Sequence, residues 1–550
     1  MKKIVKYGVL LAACAFTLSS CNCFKKMAKN ADLISVVANP DPVVLVGKNV
    51  VTDVTVVFPE KYYKPKAVLK VTPMLVFADG VIEGAPKYVQ GEKVKDNYPV
   101  ISKNSGGIYT QTISIPWDPR ARESTLELKV EAKCDGKDVD FAFVAVVPVA
   151  EGVNTLQQDL DYAGPMAIMP DAFKRVTHDS EDVDIMYQKN MSNVRQGELS
   201  KEQTKLFEAF VKENQDKDRV TLGNIQAKGY ASPEGPETLN DKLSKKRGES
   251  GQTAMSKELK SIKGLNYDVA AYGEDWEGFK KMVEASDMKD KNLILQVLNM
   301  YSSSAQRDSE IRNMSKVFEE LEKTILPQLR RTQMLATIDI QGKTDAELRE
   351  AVSSDLNSLN VEEMLFAATL YDDNATKIEI YKAAADKYND ARAWNNLGIA
   401  YAEEGDWDKA ENSFEKATAL SSDPALTNNL ALVALAQGDY QKAAKYLPAA
   451  SSQAKGIAAV AEGNYSQAAS NLTGYNKAVA EVLNGNLSAA KNALVGDDSA
   501  DADYLRGVIA AKEGDSATAV LNVNKAIDKD SSLKAKALTD VNLKSIASQL

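Results

Sequence analysis

Hydrophobic and polar positions change rhythm three times along the chain. Between about Ser35 and Val149 the apolar residues fall in short runs rich in β-branched side chains, Val50–Phe58 and Ala67–Val71, which Pro59 and Pro73 end. Leu126–Glu131 alternates with the period of two expected of a half-buried strand. Cys134-Asp135-Gly136-Lys137 is a hairpin-turn signal before a further strand from Asp138 to Val147. Short strands with turns between them predict a β-sandwich over residues 35–150. Over residues 151–345 the pattern is mixed. Asp182–Tyr187, Val220–Lys228, Asn266–Tyr272 and Met334–Ile340 read as strands. Ser200-Lys201-Glu202-Gln203 reads as a capping box opening an amphipathic helix through Leu206, Phe207, Phe210 and Val211. Pro236 starts another helix, at a position where proline is tolerated. Strands alternating with helices predict an α/β domain whose helices cover a sheet. A charged, helical insertion, about residues 276–326, separates its third and fourth strands, and His178 is expected in a solvated linker before it.

From residue 357 to 550 the strand signals vanish and alanine-rich helices repeat. Ala393-Trp394-Asn395-Asn396-Leu397-Gly398-Ile399-Ala400-Tyr401 leads to Gly405-Asp406-Trp407-Asp408-Lys409-Ala410, then Phe414 and Ala417. The turn recurs at Gly438-Asp439, Gly463-Asn464, Gly485-Asn486 and Gly514-Asp515, and Tyr381 with Ala384 marks one earlier repeat. This resembles the tetratricopeptide pattern, which implies an all-α solenoid whose aromatic positions are core and whose surface docks protein partners. Some later turns stand only 25 and 22 residues apart, so the helices there must be short. The expected whole is multidomain: sandwich, α/β domain with insertion, and solenoid.

Composition adds exclusions. The 550 residues carry a net charge of −10, which makes phosphate backbones unsuitable partners and nucleic acid an unlooked-for one. One histidine serves the whole chain, which rules out His-rich metal sites and multi-histidine acid–base sites. The sequence holds no nucleophile elbow, metal-spaced cluster, phosphate loop or Cys/His pair, so neither catalytic residues, metal nor cofactor are expected and the chain reads as a non-enzyme. At the N-terminus Lys2, Lys3 and Lys6 precede an apolar run from Gly8 to Leu18, too short to span a bilayer, which fits a signal peptide over residues 1–20. Leu18-Ser19-Ser20-Cys21 resembles a bacterial lipobox, which implies acylation of Cys21, a tether over residues 21–34 and attachment to a membrane through lipid. Asn22 in place of an aspartate favours the outer membrane, and Phe24-Lys25-Lys26-Met27 lacks the acidic run of surface-exported lipoproteins of Bacteroidetes type, so a periplasm-facing protein is expected. A Cys23–Cys134 disulfide is chemically permitted there.

The segment Ile225–Arg247, with Gly229-Tyr230-Ala231-Ser232-Pro233-Glu234-Gly235 and Asn240, Leu243, Ser244 and Arg247 at helical spacing, resembles the peptidoglycan-associating domain of OmpA-like proteins. Tyr272-Gly273-Glu274 and Arg330-Arg331 resemble that family's later turn and paired arginines. The resemblance implies a grip on the peptide stem of peptidoglycan, with Ser232, Glu234, Asn240, Arg247 and Arg331 as the candidate contacts. Ser232 stands where the family has an aspartate, and serine cannot pair with an ammonium through charge. Two functions follow as expectations: a peptidoglycan-associated envelope scaffold with a solenoid that docks envelope proteins, or a pure assembly scaffold whose OmpA-like domain no longer binds the wall.

Overall fold

The computed structural model describes Met27, residues 30–134 and residues 141–550. The signal peptide, Cys21, Cys23 and most of the turn after Cys134 lie outside the described residues, while Cys134 itself is disulfide-bonded. Two compact units are present: one joins the chain up to Asp171 with Tyr371–Leu550, and the other is Ala172–Leu370. Among the described residues no helix is long and apolar enough to cross a membrane.

In the first unit the N-terminal strands form two stacked sheets. One holds β1 (Ser35–Val46), β2 (Asn49–Phe58), β7 (Gly107–Pro116) and β10 (Val153–Asn154), in the order β10-β1-β2-β7. The other runs β6 (Val100–Ile101), β5 (Lys87–Gly91), β3 (Ala67–Phe77), β8 (Thr125–Cys134), β9 (Ala142–Glu151), with β4 (Gly80–Glu83) also on β3. Alternation does the sorting: Tyr109, Gln111, Ile113 and Ile115 of β7 point inward and the residues between them outward. Tyr63 is fully buried and its hydroxyl donates to Val89 O at 2.8 Å, which removes the cost of burying a phenol. One expectation needs correction. β3 does not end at Pro73 but passes through it to Phe77. On that edge β5 pairs only as far as Val71 and β4 only from Met74, so the residue without an N–H falls where no ladder bond is asked of it. The last long strand is described over Ala142–Glu151, and the beginning expected for it, residues 138–140, lies outside the described residues.

The C-terminal part of this unit is a run of antiparallel helix pairs. Asn374–Tyr388 leads in; the pairs are Ala391–Glu403 with Trp407–Leu420, Pro424–Ala436 with Tyr440–Tyr446, Ser452–Ala461 with Tyr465–Asn471, Gly474–Leu483 with Leu487–Ala493, and Ala500–Glu513 with Ser516–Lys529. Close spacing of the middle turns is met by second helices of only 7 residues. Each turn glycine, Gly405 at φ +74° and Gly438 at φ +69° among them, sits in the left-handed region that closes a helix. The following aspartate caps the next helix, Asp406 accepting from Lys409 N and Asp439 from Lys442 N. Alanines at the crossings, such as Ala410, Ala434, Ala468, Ala490 and Ala519, are almost fully buried and let neighbouring helices approach.

The sandwich is sewn to these helices. Gln157 exchanges two hydrogen bonds with the backbone of Gly47, at 2.8 and 3.2 Å, and its amide reaches the Tyr440 hydroxyl. Asn542 donates to Asn154 at 3.2 Å, and Lys536 pairs with Asp159 at 2.9 Å.

The second unit is built on β11 (Val176–Met186), β12 (Val220–Leu222), β13 (Ile225–Ala231), β14 (Tyr267–Glu274) and β15 (Arg331–Gln341). The order is β11-β15-β13-β14, with β13–β14 parallel, the other neighbours antiparallel, and β12 continuing the β13 side of β15. Helices Glu202–Asn214 and Glu237–Glu258 bury one face through Phe207, Val211 and Met255 against Val183, Ile185, Ile225, Ala227, Met334 and Ala336. Residues 276–326 form four short helices with their own core, including Phe279, Val283, Ile294, Leu298, Val317 and Leu321. Four readings shift here. The capping box at Ser200 does not form: a short helix Gln196–Leu199 precedes it, and the Ser200 hydroxyl turns back to Gln196 O. Working boxes stand at Thr344/Glu347 and Asn360/Glu363, opening Asp345–Ser354 and Val361–Ala368. Those two helices belong to this unit, so the repeats begin after residue 370, and residues 151–171 belong to the other unit. His178 lies within β11, its Nδ1 2.6 Å from Asp339 Oδ1, and not in a linker.

Candidate functional site

The candidate residues gather around the end of β13: Ser232, Glu234 and Asn240 bond one another, while Arg247 and Arg331 bond other groups of the same unit. The strand ends at Ala231, and the loop Ser232–Pro236 carries the chain to the helix Glu237–Glu258. The helix lies so close to the strand that a Cβ on Gly229 would stand 2.0 Å from Ser244 O and 2.6 Å from Gly248 N. That close approach carries Arg247 under the sheet end, where it is 1% exposed. Its guanidinium donates to Met191 O and Tyr230 O, each at 3.0 Å, and to Gln188 O at 3.4 Å. It also lies over the Tyr187 ring, 5.4 Å from the centroid. Burial pulls its pKa down to about 10.

Ser232 is 4% exposed and donates to Glu234 Oε1 at 3.0 Å. The same carboxylate takes Arg330 Nη2 at 2.7 Å and Nε at 3.1 Å, a nearly dry ion pair with both side chains under a tenth exposed. Asn240 donates to Glu234 O at 3.1 Å and to Glu274 Oε1 at 2.8 Å. Glu274 Oε2 is held by Trp276 Nε1 at 3.0 Å and by the Ser304 hydroxyl, both from the inserted helices. The insertion is therefore pinned to the residue that Asn240 contacts.

Arg330 and Arg331 point to opposite sides, as neighbours entering a strand do. Arg331 lies 4.7 Å from the Tyr230 ring centroid, pairs with Asp275 at 2.8 Å and approaches Asp184 at 3.2 Å. Desolvation lifts the Asp184 carboxyl to about 6, against the opposing pull of Arg331. Tyr230 stacks on Tyr272 at 5.1 Å. Arg330, left out of the candidate set, is the arginine that meets Ser232 and Glu234. Its signal was its adjacency to Arg331, since two neighbours in an extended chain serve two faces. Among the described residues no group of His, Cys, Asp and Glu is arranged to hold a metal ion.

A second polar constellation lies on the helix pairs and was not anticipated. The stretch Leu160–Asp171, beyond the sandwich, turns at Ala163–Met166, where Met166 N donates to Ala163 O at 2.9 Å, and crosses the first helices of several pairs without helix or strand of its own. Asn476 accepts from Asp161 N at 2.8 Å and donates to Asp161 O at 2.6 Å. Asn429 does the same to Ala167, at 2.8 and 3.0 Å, and Asn396 to Met169, at 3.0 Å each way. Asn395 adds a bond to Ala167 O, Asn428 one to Pro165 O, and Asn429 donates on to Asn395. All five asparagines are buried. Two Asn-Asn pairs, 395–396 and 428–429, at the same place in successive repeats were the available sign: buried amides on a packing face require partners.

Residues 391–424 match the tetratricopeptide repeat family. Solved structures similar to the chain include a tetratricopeptide repeat protein from Parabacteroides merdae, at 15% identity over 49% of this chain and 98% of that one, with a TM-score of 0.23. Yeast Tom70 is similar at 12% identity over 62% and 78% of the two chains, with a TM-score of 0.26. The APC/C hetero-tetramer Cut9–Hcn1 is similar at 13% identity over 37% of this chain, with a TM-score of 0.23, and the chain spans only 45% of the length of its counterpart there. No curated protein sequence matches the chain. Residues 374–539 thus form a helical array that contains a tetratricopeptide repeat.

Proposed function

We propose that this chain is a non-enzymatic scaffold of the bacterial envelope, tethered to the outer membrane through lipid on Cys21, facing the periplasm, and docking other envelope proteins through its helical repeats. The repeat array carries this reading, because stacked helix pairs present a long, regular surface and a repeat match falls within it. In the second unit the frame that resembles the wall-binding domain is filled from within. Arg247 is spent on three carbonyls, Glu234 on Arg330, and Asn240 on Glu274. This favours the pure assembly scaffold over a peptidoglycan grip, since a peptide stem would have to break a dry ion pair to be held.

Two measurements test the reading. Cross-linking of the full-length protein in membranes is expected to recover protein partners attached to residues 374–539; recovery of a free monomer alone overturns it. In co-sedimentation with purified sacculi at physiological salt the protein is expected to stay in the supernatant. Pelleting that Glu234→Ala abolishes would restore the wall-binding function.

A further inference from the structure

We propose that residues 160–171 are a ligand in cis for the helical array, and that a partner's extended segment engages this face only by exchange with them. The inference deepens the scaffold reading and rests on it for the existence of a partner. Each clamping asparagine uses both halves of its amide: the oxygen takes an N–H and the NH2 gives to the C=O of the same residue. That is the bonding of one strand to another, so the array reads extended backbone and not a particular side chain.

Side chains set the register. Leu160 and Met166 are buried in the core of the array, and Tyr162 meets Trp407 edge to face at 6.1 Å. Met169 is also buried, while Ile168 between two clamped residues is 63% exposed. A competing segment therefore needs a turn like that at Ala163–Met166, free backbone groups at the positions of Ala167 and Met169, apolar side chains spaced like Leu160, Met166 and Met169, and small residues such as Ala163, Gly164 and Ala167 between them. An empty face would give up the bonds that Asn396, Asn429 and Asn476 make to the segment and expose the apolar surface that Leu160 and Met166 cover, so exchange is favoured over opening. The N-terminal end of the segment is tethered within the same unit, which gives it an effective concentration on the order of millimolar. A free partner segment at micromolar concentration is then outcompeted about a thousandfold.

The test is a fluorescent synthetic peptide of residues 160–171 added to the full chain and to a variant with residues 161–169 replaced by a Gly-Ser stretch of equal length. The peptide is expected to bind the replaced variant at least tenfold more tightly than the intact chain. Adding Asn396→Ala and Asn429→Ala to that variant is expected to abolish binding. Equal binding to both chains, or none to a replaced variant that keeps its helical circular dichroism, overturns the proposal. Should the replaced variant not fold, amide exchange on the intact chain decides. The amides of Ala167 and Met169 are expected to exchange at least a hundredfold slower than their intrinsic rates, and exchange at intrinsic rates overturns the proposal. Neither result touches the membrane cross-links, so the scaffold reading fails or stands separately.

Discussion

Arg247→Met asks whether the helix arginine braces the second unit or waits for a ligand. Methionine keeps the length and apolar bulk but removes every donor. Two bonds at 3.0 Å to Met191 O and Tyr230 O and a longer one at 3.4 Å to Gln188 O disappear. A hydrogen bond from a charged group contributes about 1.5–3 kcal/mol, so the two good ones set a gross loss of about 3–6 kcal/mol. Part is offset, because the guanidinium no longer has to be desolvated, the same cost that pulls its pKa down to about 10. A net loss of about 2–4 kcal/mol remains, without the contact to the Tyr187 ring. For a unit of this size each kcal/mol moves Tm by about 2–4 °C, so the transition should fall by roughly 4–16 °C. Calorimetry on the full chain, with the transition assigned to residues 172–370 by hydrogen-exchange mass spectrometry, reads the shift. A change below 2 °C would refute the bracing role, and a simultaneous loss of sacculus binding would return Arg247 to the ligand set.

Gly229→Ala should destabilise the same unit by about 1–3 kcal/mol, because the new methyl collides with backbone atoms of the helix Glu237–Glu258 that cannot rotate away; an unchanged Tm counts against the packing described. Asp184, with its carboxyl raised to about 6 from 3.8, gives a pH signature. Between about pH 4 and 6 the folded chain holds a proton that the unfolded chain releases, so this group lowers stability as pH rises through that window. Its side chain is 40% exposed, so screening keeps the effect small. In Asp184→Asn the slope of Tm against pH should flatten there, and an identical slope would sink the assignment.

Elements whose signals are local were legible in the sequence. The Gly-Asp turns announce both a left-handed residue and a cap, and they recur where the helices end. The alternation in Leu126–Glu131 fixes the faces of β8. What was hidden depends on contacts far apart in the chain. Pro73 reads as a strand end until β4 and β5 are seen to share its edge between them. Ser200 fits a capping box in sequence, yet a preceding helical turn claims its hydroxyl. At the candidate site, motif order named the right neighbourhood but not the pairings, since Arg330 finds Glu234 across 96 residues. The segment after the sandwich has no periodicity of its own, because its partners are side-chain amides more than 220 residues away.

The first unit is assembled from two stretches separated by all of residues 172–370. When the N-terminal stretch emerges during synthesis, Leu156, Leu160 and Met166 have nothing to bury against, and the backbone of Asp161, Ala167 and Met169 has no clamp. At about 5–20 residues per second, the intervening unit alone delays the arrival of the first repeat by roughly 10–40 s. During that delay the stretch Leu160–Asp171 stands without its packing partners. The array in turn cannot complete its core until that earlier stretch is released to it. The contacts that grip the segment can thus form only once the repeats have been made, so closure of the first unit is a late event in its folding.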